Sequence, residues 1–418
     1  MTQPFTQSRL RWEQSIAPGH RVIEPMSLVV ISTHPIQYHT PVYRAVQRDY
    51  GIPVTVVYGS DFSVAGYRDR EFGTRFAWDT DLLSGYRPVF LSQVEKGGAK
   101  SPEEISVRGL GQALREAAPT AVLLPGYSPL FYQFAFWHAQ RAGVPLLFRG
   151  EATDHALSRS PLKQWVRDHS LRWFYGRFSK LLFIGQRSLE HYRRLGGSAG
   201  QLVFSPYCVD TGPFQSSECD RDQLRSPVRH QLDLPPEQYV ILFAGKLVPR
   251  KGPDLLLHAA KKLSADLRRR LVMLFLGDGP LRESLQQLAQ LPPSIDVRFV
   301  GFQNQQFLSR YYHAADVLVL PSHHSETWGL VINEALHHGL PCVVSSNVGC
   351  APDLIEPGIT GEIFDSGDMG SLTSTLERAL SLVNRPEVRA QCRAKVNGYT
   401  VENAAGGIAQ AYQDVMGK

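Results

Sequence analysis

The chain has 418 residues, 43% of them hydrophobic and 20% charged, which is ordinary for a globular protein and too long for a single core. A net charge of +5 excludes the footprint of a nucleic-acid binder and suits anionic small molecules or an anionic membrane surface. No apolar run approaches the ~18 residues of a membrane span. Residues 1–26 lack a continuous apolar region and carry Glu13 and Glu24, so they read as a flexible polar tail and not as a signal peptide. The first-half runs SLVVIS (27–32), VTVVYG (54–59), AVLLPG (121–126), VPLLFRG (144–150) and KLLFIG (180–185) are predicted strands. Helix-length segments such as 129–143 separate them. Apolar strands alternating with helices imply a parallel sheet covered on both faces.

Prolines 206, 213, 227, 235 and 236 crowd residues 206–238, which read as a connection between domains. The alternation restarts with strands at 239–245, 271–277, 297–301, 316–322 and 341–346, and with helices at 253–266, 280–290 and 304–314. Residues 400–418 read as a closing helix despite the Gly406–Gly407 pair, and are expected to pack back on the first domain. Two doubly wound α/β domains follow, 27–205 and 239–399, facing each other across a cleft where ligands sit at the carboxyl ends of strands. The five cysteines, an odd number with no zinc spacing, suggest reduced thiols and a cytoplasmic setting.

Chemistry concentrates in the second half. AGKLVPRKGPD (244–254) places Lys246 just past a strand and Lys251 just before a helix, a pair that suits a diphosphate, although two solvated lysines would look the same. LGDGP (276–280) carries only part of a dinucleotide fingerprint and reads equally well as a plain strand–helix turn. SETWGLVINEALHHGLP (325–341) runs from a strand into a helix beginning near Gly329. Glu326 then lies in the loop, and Glu334 about 7.5 Å along the helix. Between them the free amides of about 329–331 form an anion site. Carboxylate, anion site, carboxylate is the order that the sugar, diphosphate and ribose of a nucleotide sugar require. An ordinary helix start with Glu near its positive end gives the same pattern.

Taken with AGKLVPRKGPDLLLHA, LGDGPLR, FVGF, AADVLVLPS, EALHHGLPCVVSSNVG and PDLIEPGITGEIF, this stretch resembles the E-x7-E signature of retaining glycosyltransferase family 4. That family has the GT-B fold, two Rossmann-like domains facing across a cleft. The likeness is strong over 239–418 and weaker over 180–214. It implies that Glu326 faces the donor sugar and Glu334 the ribose hydroxyls. Amides near Gly329, Leu330 and Val331, beside Trp328, would hold the diphosphate, and Lys246 and Lys251 would neutralise it as it leaves. Phe302 and Gln303 would meet the base. It also implies retention of anomeric configuration, with the nucleotide sugar as co-substrate and no cofactor or metal. Lys246 departs from the pattern, where arginine is commoner; lysine keeps the charge and loses the bidentate fork. The DTD at 79–81 recurs by chance too often to argue for a metal.

The first half should hold the acceptor, a glycan, a lipid-linked sugar or a small molecule. Its loop after the first strand offers His34, Gln37, Tyr38 and His39, and a purely structural loop remains the alternative. FRGEATDH (148–155) offers Arg149, Glu151, Asp154 and His155, with Asp154 and His34 as catalytic candidates. Tyr127 in PGYSPLF and the loop 61–73 could shape acceptor choice. The basic, aromatic stretch 161–180 reads as a peripheral contact with an anionic membrane at its inner face, or as a core helix with a solvated basic side. The favoured reading is a metal-independent hexosyltransferase. The rivals are an inactive nucleotide-sugar-binding protein on the same scaffold, an NAD-type oxidoreductase, for which the glycine fingerprint is incomplete, and a same-fold phosphorylase or epimerase.

Overall fold

The computed structural model describes residues 27–68, 75–76, 80–154 and 160–417. The expected tail, His155 and Asp79 lie outside them. The strands are β1 Leu28–Ser32, β2 Val54–Tyr58, β3 Tyr67–Arg68, β4 Arg75–Phe76, β5 Arg87–Phe90, β6 Ala121–Leu124, β7 Leu146–Phe148, β8 Lys180–Phe183 and β9 Leu202–Phe204 in the first half. The second half has β10 Tyr239–Ala244, β11 Leu271–Leu276, β12 Asp296–Gly301, β13 Val317–Leu320, β14 Cys342–Ser345 and β15 Gly361–Phe364. A seven-stranded sheet runs β5-β2-β1-β6-β7-β8-β9 and a six-stranded sheet β12-β11-β10-β13-β14-β15, all pairs parallel. β3 and β4 form a separate antiparallel pair.

The apolar runs exist because both faces of each sheet are covered. In β10, Val240 and Leu242 join the core under helices Gln305–Ala314, Leu330–His337 and Pro386–Val396. Their neighbours Ile241 and Phe243 point the other way, under Pro253–Lys261, Arg282–Gln290 and Met369–Ala379. The first sheet is covered by Thr40–Tyr50 and the closing helix Val401–Val415 on one face. Leu110–Ala117, Leu130–Arg141 and Pro161–Tyr175 cover the other.

The closing helix therefore belongs to the first domain by packing; Tyr412 Oη and Thr120 Oγ1 lie 2.6 Å apart across that contact. Within the span read as a connection the structure has a helix, Glu218–Gln231. Arg225 and Arg229 on it pair with Asp316, at 2.5 and 3.1 Å, so it is fastened to the second domain. Pro227 sits inside it, and Ser217 caps its start by accepting from Asp220 N–H. The strand order reverses between β1 and β6 in one sheet and between β10 and β13 in the other. Loops at these switch points face the crevice where doubly wound folds take ligands.

Candidate active site

β10 ends at Ala244, and the chain passes Gly245 and Lys246 into the short turn Pro249–Lys251. β13 ends at Leu320 and leads through Ser322 and Glu326 to the helix at Leu330. Both loops line a crevice of about 420 Å³, with Gln37, Tyr38, Glu151 and Tyr207 on the opposite wall. Two larger hollows, of about 640 and 680 Å³, lie elsewhere and share none of these residues.

Lys251 donates to Glu326, and Ser322 Oγ donates to the same carboxylate oxygen at 2.9 Å. An ammonium thus holds the loop carboxylate in place, and both groups stay on the crevice wall with Lys246 and Arg250. Gly329 caps the next helix with φ +102° and no side-chain cap, and Gly329, Leu330 and Val331 of this uncapped helix start line the crevice. Glu334 lies one turn further on and is only 3% exposed. Its carboxylate accepts from Tyr312 Oη at 2.5 Å. Burial pushes the Glu334 pKa up to about 7, against the hydrogen bonds of Tyr312 and Tyr38. Trp328 is 3% exposed. It spends its indole N–H on Asn333 at 2.8 Å and packs between Tyr207 and Tyr399, so it builds the floor.

The domains touch across the crevice at Glu151, which accepts from Tyr207 of its own side and from Thr327 Oγ1 of the other at 2.9 Å. Of the 148–155 candidates with a described position, Glu151 alone lines the crevice. Arg149 is buried, anchoring Ser205 and Pro206. Asp154 turns away into a cluster with His191 and Arg194, at 2.8 and 2.7 Å. Burial would raise its carboxyl, but these partners outweigh burial and hold it well below the usual range.

His34 also leaves the crevice. It packs on Phe62 at 4.4 Å between centroids, and burial lowers its pKa to about 4. His39 lies beneath the wall, edge-on to Tyr207 at 5.9 Å; burial, then Arg149 and His34, lower its pKa to about 3. Tyr127 stacks on Phe148 and lines the 680 Å³ hollow. The crevice thus joins Glu326, Glu334, Lys246, Lys251, Gly329, Leu330, Val331, Phe302 and Gln303 with Gln37, Tyr38 and Glu151. It adds residues that the sequence reading missed: Arg250, Thr327, Tyr207 and Tyr312. Arg250 was legible as a third cation in the same turn as Lys251. The tyrosines carry no local signal. Asp81 of the DTD caps a turn, accepting from Leu83 and Ser84 amides at 3.0 and 3.1 Å.

Residues 225–396 match the family described as Glycosyl transferases group 1, and residues 37–208 match the Glycosyl transferase 4-like domain. The chain belongs to glycosyltransferase family 4. Among curated relatives, a D-inositol 3-phosphate glycosyltransferase of Streptosporangium roseum is 36% identical over 226 residues, 52% of this chain and 47% of that protein. One from Saccharomonospora viridis is 38% identical over 207 residues, 46% of this chain and 47% of that protein. The chain spans about half the length of these relatives. Anabaena Alr3699/HepE in complex with UDP superposes with TM-score 0.69 at 18% identity, covering 93% of this chain and all of that one. Sucrose-phosphate synthase from Thermosynechococcus elongatus gives 0.67 at 18% identity, covering 94% and 99%. These likenesses establish the GT-B fold for this family 4 member. Among the described residues no helix is long and apolar enough to cross a membrane.

Proposed function

We propose that the chain moves a hexosyl-type residue from a nucleotide-diphosphate sugar to an acceptor hydroxyl, retaining anomeric configuration and using no metal. The observation that carries this reading is the alignment of Glu326, the Gly329–Val331 amides and Glu334 along one wall, with Lys246, Arg250 and Lys251 on the same crevice. Breaking an anomeric C–O bond leaves negative charge on the diphosphate and positive character on the sugar. Fixed cations and helix-start amides stabilise the first, and the Glu326 carboxylate faces the second. Glu334 receives the ribose hydroxyls, and Phe302 and Gln303 meet the base. Gln37, Tyr38 and Glu151 form the acceptor wall, for a glycan, a lipid-linked sugar or a small molecule. Retention is what the family likeness implies.

A thermal-shift panel of UDP-, GDP-, ADP- and dTDP-sugars tests the donor on wild type and on Glu334→Ala. One donor should raise the wild-type midpoint by a few degrees, with no rise in the variant. The Anabaena neighbour was solved with UDP and with UDP-glucose, so the uridine arm comes first. Donor turnover should be insensitive to EDTA. A folded wild type that no nucleotide sugar stabilises would overturn the reading. A donor that binds without being turned over in any acceptor screen would leave an inactive sugar-nucleotide binder.

A further inference from the structure

Helices Leu130–Arg141 and Pro161–Tyr175 lie side by side on one face of the first sheet, and each buries only part of its apolar surface. Phe131, Ala135 and Phe136 of the first, with Leu171 and Tyr175 of the second, enter the core. On the second helix, Leu162, Trp165, Val166 and Trp173 remain exposed. They recur at a spacing of three, one and seven residues, a single stripe along the helix. Leu162 is 72% exposed and Trp165 59%. The first helix repeats the arrangement with Leu130, Phe134 and Trp137. The stripes meet where Trp137 and Trp173 approach to 5.9 Å between centroids, above a hollow of about 680 Å³. Seven of the eleven exposed large hydrophobic side chains of the described residues lie on these two helices. Such a concentration is a contact surface and not the ordinary scatter of exposed apolar side chains.

Charge selects the occupant. Arg141, Lys163, Arg172 and Arg177 are exposed on or just past the same helices, and none is in an ion pair among the described residues. Arg141 and Arg177 lie over the rings of Trp137 and Trp173, 6.0 and 5.1 Å from their centroids. The one acid of the two helices, Asp168, is held by Arg194 at 2.5 Å. Tryptophan at the level of basic side chains, with aliphatic tips standing proud, is the composition of an interfacial helix, the indoles at headgroup depth and the cations on the phosphates. We infer that this paired-helix face docks on an anionic lipid bilayer, with Leu162, Trp165 and Trp137 entering the interface. The inference does not depend on which sugar the crevice carries.

Flotation of the full chain with vesicles of phosphatidylcholine, with and without phosphatidylglycerol, tests it at low and high salt. The protein should float with the anionic vesicles alone, and added salt should release it. Leu162→Ala combined with Trp165→Ala removes side chains that make little of the core, so its thermal midpoint should match wild type while vesicle affinity falls about tenfold or more. No flotation of wild type, or flotation unchanged in the double variant, would overturn the inference. So would a solution dimer that Trp165→Glu splits into monomers, because a second copy would then own the stripe. Vesicle binding without sugar transfer would count against the proposed reaction and leave the bilayer contact standing.

Discussion

At the scale of single residues, Glu334 sets the behaviour of the crevice. Its carboxyl is buried between two phenols, and burial pushes its pKa up to about 7. An ordinary carboxyl is ionised well below that, so between about 4.5 and 7 the folded chain holds a proton that the unfolded chain has lost. In the free protein this group's contribution to stability therefore falls as pH rises through that window. Ligand binding runs the other way. Ribose hydroxyls donate to an ionised carboxylate and would lower its pKa again. Affinity for a nucleotide sugar, whose diphosphate is esterified at both ends and stays a dianion across this range, should fall about tenfold from pH 8 to pH 6. Calorimetry at both pH values checks it, and Glu334→Gln should flatten the profile; an equally steep profile in the variant would place the titrating group elsewhere. The carboxylates of the second half were legible because strand, loop and helix place them within one short stretch. Asp154 and His34 were misplaced because their partners His191, Arg194 and Phe62 come from distant parts of the chain.

At the scale of elements, the helix Leu330–His337 matters through its first turn. Gly329 precedes it in a left-handed conformation, and an added Cβ would lie 2.9 Å from Leu320 Cδ2 and 3.1 Å from Val348 Cγ1. Gly329→Ala should therefore cost about 1–3 kcal/mol in denaturant unfolding. The same change should weaken donor binding, because the strained turn carries the amides assigned to the diphosphate. Unchanged stability and unchanged binding would show that the amides are not set by this turn. The helix start was legible from the Gly after a loop. The helix Glu218–Gln231 was not, because Pro227 and its neighbouring prolines argue for irregular chain. The overlooked signal is Ser217-x-x-Asp220, where Ser217 Oγ accepts from Asp220 N–H at 3.1 Å and the Asp220 carboxylate accepts in return from Ser217 N–H at 3.0 Å. Capping chemistry outweighs one interior proline when the flanking arginines are anchored on Asp316.

At the scale of the whole molecule, the chain crosses between domains twice, and the second crossing ends in the helix Val401–Val415 on the first domain. Its glycine pair looks unfavourable for a helix, since alanine is better by about 1 kcal/mol at each interior position. The two glycines do different work. A Cβ on Gly407 would sit 2.0 Å from Phe204 O and 2.8 Å from Ser205 Cβ, so the helix rests directly on the chain leaving β9. A Cβ on Gly406 would meet only Tyr50 Oη at 2.8 Å, the tip of a half-exposed and movable side chain. Ser205 continues the contact: its hydroxyl donates to Ala404 O at 2.8 Å and accepts from Arg149 at 2.9 Å, two residues before the crevice residues Tyr207 and, along the other strand, Glu151. Gly407→Ala should therefore lower stability by about 1–3 kcal/mol against its helix propensity, and should weaken acceptor-side function by shifting the crossing. Gly406→Ala should be neutral or stabilising by up to about 1 kcal/mol. Paired denaturant melts of the two variants decide it. If both stabilise, propensity governs the closing helix and its close seat on β9 is unimportant; if Gly407→Ala alone destabilises, the packing that ties the last helix to the crevice wall is what the glycine was kept for.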